Sequence, residues 1–516
     1  MRRSVWIWLV LSAGLCMQAS AQTFNKRFDL FGELQAQTAW GVEVQPDGSA
    51  LVVFGGGYVH QDTSYTSAVS SVVVDISGAF SAGYRLHLPG RSTFPGWVNC
   101  SSPLDTGGFI LGGGTEAPGD IHRATLYWMS TTGEVVHHRE LDLPGGNWIG
   151  RGGIQAADGG FLLVGEYYPG SGFDALLVKT DAQGEVEWYH TYGEPGLREG
   201  FASIVPAPWG GYYVGGSRET STWVWEPWII RVDELGNLIG QGDYGSAFDD
   251  RPNAQLTLAS NGHVLAAGAK QLGPGIQQAR AMLYEVDESG AIVWQRLYGP
   301  LTRAALFTVQ QVPGSTDLIA AGFDDRMEIA QPIMGTLLRT TSAGDSLWMR
   351  SYAYHDSLVD VGNAGFYDMQ PTPDGGFMAV GFAMGLWQQG PGGWEQVYSP
   401  DVWVVKVDEH GCLEPGCQLV TGMETQITNL RGALTVAPNP VLSGGAVQVS
   451  IALPEGFVAQ GALRITVTDA AGRVVHEQAV SSTTLNLSTA NLSTGLLHLH
   501  LHDATRWISG AKLIVD

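Results

Sequence analysis

Basic residues are scarce in this chain. Its 27 Lys and Arg stand against 50 Asp and Glu, for a formal net charge of −23. Such a surface repels phosphate backbones and anionic headgroups, so nucleic acid and acidic membranes are excluded as partners. Charged residues of any kind make up only 15% of the chain, while hydrophobic residues reach 44%. The second figure argues against disorder, because a fraction of that size can bury a core. Cysteine is nearly absent, with four in 516 residues. Beyond the N-terminus no run approaches the roughly 18 apolar residues of a membrane helix, so no transmembrane segment is predicted. Catalytic signatures are also missing. There is no His-Glu-x-x-His, no Gly-x-Ser-x-Gly, no phosphate loop and no EF-hand loop. No cofactor and no metal is implied.

Glycine, in contrast, is abundant at 70 residues, which signals many tight turns between half-buried strands. The first residues, "MRRSVWIWLVLSAGLCMQASAQ", combine a basic start, an apolar stretch and a small-x-small site at Ala19-Ser20-Ala21. Residues 1–21 therefore read as a signal peptide, with the mature chain starting near Gln22. Cys412 and Cys417, in "GCLEPGC", are spaced for a local disulfide in an oxidising compartment. Cys100 reads as a small buried apolar residue.

One sentence is written again and again. Seven Gly-led apolar strands begin at Asp47, Thr106, Asp158, Trp209, Asn261, Ser315 and Asp374, as in "DGGFLLVGE". Successive copies lie about 50 to 60 residues apart, the spacing of propeller blades. A second pattern follows each, clearest in "ALLVKTDAQGEVEWYHTYG": a strand, an Asp-x-x-Gly turn, then a strand carrying Trp or another large apolar residue and ending in Tyr-Gly, with the first two copies, "SVVVDISGAFSAGYRL" and "LYWMSTTGEVVHHREL", weaker. Each unit reads as four strands that cannot bury both faces alone, so neighbours must stack. The last unit lacks its Trp strand. An orphan near the N-terminus, "FNKRFDLFG" from Phe24, fits that place, though Arg27 falls where Trp188 sits. Residues 22–418 are thus predicted to form a seven-bladed β-propeller closed by its N-terminal strand.

Residues 419–432 read as a linker. From 433 to 516 short alternating strands predict a small Ig-like β-sandwich, so the chain as a whole is all-β. Here the order Pro438-Asn439-Pro440, then Asp469-x-x-Gly472-Arg473, then "LSTANLSTGLLHL" around Gly495, then a terminal "AKLIVD" with Lys512, resembles the type A sorting domain of the Bacteroidetes type IX secretion system. That resemblance implies export through the type IX machinery to the outer-membrane surface or the medium, with removal of the C-terminal domain. Where the family usually carries Tyr, this chain has Leu496-Leu497. The repeats resemble those of other Bacteroidetes cargo and, more distantly, quinoprotein-like repeats. This implies a fold and little chemistry.

Three aromatic clusters stand out as candidate ligand contacts: Tyr167, Tyr168 and Phe173; Trp223, Trp225 and Trp228; and Trp387, Trp394 and Tyr398. All fall between the second and third strands of their units, so they should emerge on one side. Trp and Tyr there can stack on sugars or anchor a protein, or simply pack between blades. His498, His500 and His502 share one face of "LHLHLHD" and read as a solvated strand face rather than a metal site. Asp249-Asp250 and Asp324-Asp325 read as turn carboxylates. The expected role is non-catalytic binding of a glycan or surface protein. A polysaccharide hydrolase and a structural scaffold are the alternatives.

Overall fold

The computed structural model describes residues 22–516 apart from 32–35, 60–64, 118–120, 171, 222–223, 247, 249, 251–254, 275–277, 326–332, 355–362, 385–386, 391–392, 397–399, 418–425, 428–429, 431, 454–456, 458, 460, 471 and 505. The elements named among them are all β-strands. The first repeat pairs Gln37–Val44, Ala50–Val59, Tyr65–Val74 and Tyr84–Arg85 in chain order. The third does the same with Asn147–Gln155, Phe161–Tyr168, Asp174–Thr180 and Val186–Tyr192. The fourth follows with Glu199–Pro206, Tyr212–Ser221, Val224–Val232 and Leu238–Asp243. In the second repeat the first strand is split into Ser92–Pro95 and Ser101–Pro103, both paired with Phe109–Glu116.

Two features depart from a simple four-strand unit. The strand Ile292–Gln311 closes the fifth repeat and opens the sixth, so these two share one seven-stranded sheet. The seventh repeat takes its fourth strand from the other end of the chain. Phe24–Phe28 pairs antiparallel with Asp401–Val407, beside Phe377–Ala383 and Ala364–Pro371. Arg27 replaces the usual aromatic there and instead ion-pairs with Asp401.

The repeated pattern has a direct physical cause. In the third repeat Asp181 Oδ1 accepts the backbone N–H groups of Gln183 and Glu185, both at 2.9 Å. Asp75, Asp233, Asp287 and Asp408 do the same in their units. The turn Gly also leaves room for the preceding repeat. A Cβ on Gly236 would sit 2.7 Å from Trp188, and one on Gly344 2.7 Å from Trp294. The Tyr of each Tyr-Gly pair then donates to the same turn: Tyr244 to Gly290 O at 3.0 Å, Tyr298 to Gly344 O at 2.7 Å. Trp and Tyr are thus docking groups at the junctions from the third repeat to the seventh, whereas Ser71 meets the turn at Gly133 and Phe24 the turn at Gly78.

Apolar clusters fill the gaps between successive sheets. Leu162 and Val164 of the third repeat pack on Phe201 and Val214 of the fourth. The same holds between the last sheet and the first, where Phe28 and Val404 pack on Val42 and Val52.

The C-terminal strands make two further sheets. Gln426–Ile427, Arg506–Val515, Gly495–His502, Arg464–Asp469 and Val474–Ala479 form one. Leu434–Ala437, Ala446–Ile451 and Thr484–Ser488 form the other. Val447, Val449, Leu485, Leu499 and Leu513 share one core between them. No helix among the described residues is long and apolar enough to cross a membrane.

Candidate functional site

The first strands of the repeats lie side by side. Ser101 Oγ donates to Glu43 Oε1 at 2.9 Å, and Trp97 N to Arg151 O at 2.8 Å. Leu256 N donates to Ser203 Oγ at 3.1 Å, Thr257 Oγ1 to Val309 O at 2.6 Å and Gln310 Nε2 to Met369 O at 3.1 Å. Val42 N donates to Asp368 Oδ2 at 2.9 Å, which brings the seventh repeat back to the first.

Five of these strands carry a β-bulge at the same place. The extra residues are Trp40, Arg151, Ala202, Phe307 and Tyr367. A bulge frees one residue from the ladder and re-aims its side chain. Trp40 stacks on Tyr367 with ring centroids 4.6 Å apart, and Phe307 meets Tyr367 edge-on at 4.9 Å. The sequence reading missed this set. Its signal was present as one bulky residue framed by small or apolar ones, in "TAWGV", "IGRGG", "ALFTV" and "GFYDM".

Beside these bulges lies a cavity of about 450 Å³ lined by Trp40, Phe94, Trp97, His122, Trp148 and Arg151. Trp40, Phe94, Trp97 and Arg151 are half-buried. The Arg151 guanidinium stands 5.4 Å from the Trp97 ring and ion-pairs with Glu166 at 3.0 Å. A second cavity of about 230 Å³ shares Trp97 and Arg151 with it and adds Glu166, Phe173, Glu199 and Trp225.

The aromatic candidates from the sequence divide between these places. Tyr167 stacks on Trp148 at 3.9 Å, at the wall of the larger cavity. Tyr168 meets Phe173 at 5.0 Å, and Trp225 lines the smaller cavity. Trp228 is 3% exposed, stacks on Phe201 at 5.1 Å and donates to Gln241 Oε1, so it packs between sheets instead of facing a ligand. Tyr167, Tyr168, Trp225 and Trp228 lie within strands and not in the connections expected for them. Trp387 and Trp394 sit on a two-stranded extension between the second and third strands of the seventh repeat. Trp223, Tyr398 and Asp249 lie outside the described residues, as do 1–21 and most of the linker.

Deeper along the first strands is a buried acidic pair. Burial pushes the Glu43 carboxyl up to about 6, against hydrogen bonds from Gln370 and Ser101. Burial pushes Asp368 up to about 8, opposed by the N–H groups of Val42 and Met369 and reinforced by Glu43. The free Cys100 is buried beside them, its thiol raised by burial and by Asp368. Asp250, Asp324 and Asp325 are also buried, so they are not solvated turn carboxylates. Asp250 accepts from the backbone N–H of Gln271, and Asp324 and Asp325 end a strand. Among the described residues no group of His, Cys, Asp and Glu is placed to hold a metal ion.

In the C-terminal sandwich the motif residues act locally. Asn439 Nδ2 donates to Lys512 O at 2.7 Å and its Oδ1 accepts from Ile514 N at 2.9 Å, which ties it to the last strand. Pro438 and Pro440 flank it. Asp469 accepts the N–H of Arg473 at 2.9 Å and its guanidinium at 2.8 Å, across a turn whose Gly472 has φ 76°. Gly495 opens the strand that carries the three histidines. Those histidines correct the sequence reading: His498, His500 and His502 are 2%, 0% and 7% exposed, and Leu497, Leu499 and Leu501 on the other face are buried too. What covers the histidines is the loop closed by the Cys412–Cys417 disulfide, which packs on Trp507. Both faces of this strand are covered, one by the sandwich core and one by the end of the repeats.

Residues 435–516 match the family described as the secretion system C-terminal sorting domain. That domain is present here, and it marks proteins exported by the type IX system to the cell surface or the extracellular space. No curated protein matches the chain. Among solved structures, a protein of unknown function from Dyadobacter fermentans is similar over 75% of this chain and 98% of its own, at 10% identity and a TM-score of 0.40. Sqt1 from Chaetomium thermophilum covers 75% of this chain and 100% of its own, at 13% identity and a TM-score of 0.38. A GH43 β-1,3-galactosidase covers 49% and 91%, at 10% identity and a TM-score of 0.31. All three likenesses are too loose to carry chemistry.

Proposed function

We propose that the chain is an exported seven-bladed β-propeller, residues 22–418, that binds a glycan without cleaving it and is delivered by its sorting domain, residues 433–516. Residues 1–21 would be the leader and 419–432 the linker. Three observations support the propeller. Apolar clusters join each sheet to the next and the last to the first. The N-terminal strand supplies the outer strand of the seventh sheet. Hydrogen bonds join neighbouring first strands from the first repeat to the third, from the fourth to the seventh, and from the seventh back to the first.

The observation that carries the binding reading is the cavity at Trp40, Phe94 and Trp97 with the Arg151–Glu166 pair at its edge. Half-buried aromatic faces stack on the apolar side of a sugar ring, and a guanidinium and carboxylate side by side pair with its hydroxyls. Tyr167 supports the wall from behind. The test is a glycan array probed with the purified protein, Trp97→Ala and Trp40→Ala, with each hit incubated further and analysed for products. Binding lost in both variants, without products, is the expected result. Products would favour the hydrolase reading, and no binding to any glycan would sink this one.

A further inference from the structure

The two cavities beside the bulged strands adjoin. Trp97 and Arg151 line both, so Trp97 is a shared wall between a larger and a smaller chamber. The larger, at about 450 Å³, lies within the range of small-molecule sites, and the smaller, at about 230 Å³, falls below it and suits one ring-sized group. Phe173 and Trp225 give the smaller chamber aromatic sides.

Its polar group is Glu199, the first residue of the strand Glu199–Pro206. Glu199 is 2% exposed. Its Oε1 accepts the N–H of Glu194 at 3.1 Å, whereas its Oε2 is buried and has no hydrogen-bond partner among the described residues. An unsatisfied buried carboxyl oxygen costs stability, and such groups in folded proteins call for a missing partner. The charged groups around it are Asp174 and Glu194, which disfavour ionisation, and Arg218, which favours it. Glu166 and Arg198 line the same chamber. Burial leads these effects and pushes the Glu199 carboxyl up to about 7, so near neutral pH a large share of molecules holds a proton there.

We propose that the smaller chamber is a second sugar subsite, in which Glu199 hydrogen-bonds a hydroxyl of a ring placed between Phe173, Trp225 and Trp97. The ligand is then an oligosaccharide of at least two rings that straddles Trp97, and not a single sugar. This inference rests on the glycan reading of the larger cavity, which it deepens.

The test is isothermal titration of the full chain with glucose, galactose and mannose and with their β-linked oligomers of two to four rings. The second ring should tighten binding about tenfold, the worth of one good hydrogen bond with stacking. Glu199→Ala and Trp225→Ala should lose that gain and keep the affinity for the single sugar. Glu199→Gln, whose side-chain amide can both donate to and accept from a sugar hydroxyl, should keep the gain. A gain that survives Glu199→Ala, or equal affinity for one and two rings, would overturn the second subsite while leaving the first intact. Failure of every sugar to bind would overturn both.

Discussion

His498 Nδ1 of the sorting domain lies 2.9 Å from Glu414 Oε2, inside the small loop that Cys412 and Cys417 close. Around this contact, Thr468 Oγ1 reaches Pro415 O at 3.5 Å, and a Cβ on Gly510 would sit 2.5 Å from Glu414 Cγ. The end of the repeats and the sorting domain are therefore packed on each other at a disulfide-bound peg. Replacing Glu414 by Ala should weaken this junction by about 1–3 kcal/mol, the usual cost of removing one partner from a buried charged hydrogen bond. Limited proteolysis would show it as faster cutting in the linker. Unchanged cutting rates would mean that the peg contributes nothing to docking.

The same face predicts an acid response. His500 is buried with His498 and His502 beside it, and its imidazole is pushed down to about 3. Its Nδ1 accepts the Trp507 indole N–H at 3.1 Å, and its Nε2 meets Thr468 Oγ1 at 3.1 Å, so the neutral ring already uses both nitrogens. The unfolded chain takes up this proton below about 6.5, while the folded chain does so only near 3. The unfolded state thus binds more protons in that window, and stability falls as pH drops through it, by about 1.4 kcal/mol per unit. His500→Gln can keep an acceptor and a donor without a charge to bury. Urea unfolding from pH 6.5 to 4 should show a flatter loss for that variant, and parallel curves would rule out His500 as the source.

The junctions between repeats predict graded costs. Tyr298 is 6% exposed and donates to Gly344 O at 2.7 Å, so Tyr298→Phe should cost about 1 kcal/mol. Gly344→Ala should cost more, about 1–3 kcal/mol, because φ is 81° and the new Cβ would lie 2.7 Å from Trp294. Gly159→Ala is the control: its φ is 86°, yet a Cβ there meets nothing, so only the backbone term of about 1 kcal/mol applies. Thermal unfolding should rank the three with Gly344→Ala lowest.

That ranking also shows where the sequence could be read. The Asp-x-x-Gly turns, the Trp and Tyr-Gly strands and the place of Phe24–Phe28 are local patterns, and their chemistry acts over a few residues or at a repeated junction. Asn439 and Asp469 were legible for the same reason. His498, His500 and His502 were misread because alternation fixes which residues share a face but not what covers it. Trp228 was left open between a ligand contact and packing between sheets, since an aromatic near a loop and one in a core look alike in sequence. Trp40, Arg151 and Tyr367 converge only when separate repeats come together, and a one-residue bulge leaves little trace in composition.

Glu43 predicts a pH response of the opposite sign. Its folded value is raised from 4.5 to about 6, so its contribution is fully present below about 4.5 and is lost as pH rises through about 6. Its two oxygens accept from Ser101 and Gln370, and a Gln side chain can serve both partners, with the Ser101 hydroxyl turning to accept. Glu43→Gln should therefore match the wild type near pH 4 and exceed it by about 2 kcal/mol at pH 8. Melting curves at the two pH values give the comparison. A variant less stable at both would show that the packing, and not the charge, sets the cost.

Export offers the sharpest separation of the two halves. The sorting domain occupies the chain end, and its last strand is fixed by Asn439 through Lys512 O and Ile514 N. Among the described residues, the apolar clusters between the repeats' sheets reach no further than Leu413, while the disulfide packs on Trp507. Removing residues 434–516 should leave a folded, disulfide-bonded protein that stays in the periplasm, because folding and addressing rest on different residues. Asn439→Ala should give a milder defect by loosening the last strand. Fractionation of cells carrying each form, with the Cys412–Cys417 bond checked by thiol labelling, measures both properties at once. Truncated protein at the cell surface would remove the sorting domain from the export route. Truncated protein that is degraded or reduced in the periplasm would show instead that the repeats need the sorting domain docked on the disulfide loop to stay folded.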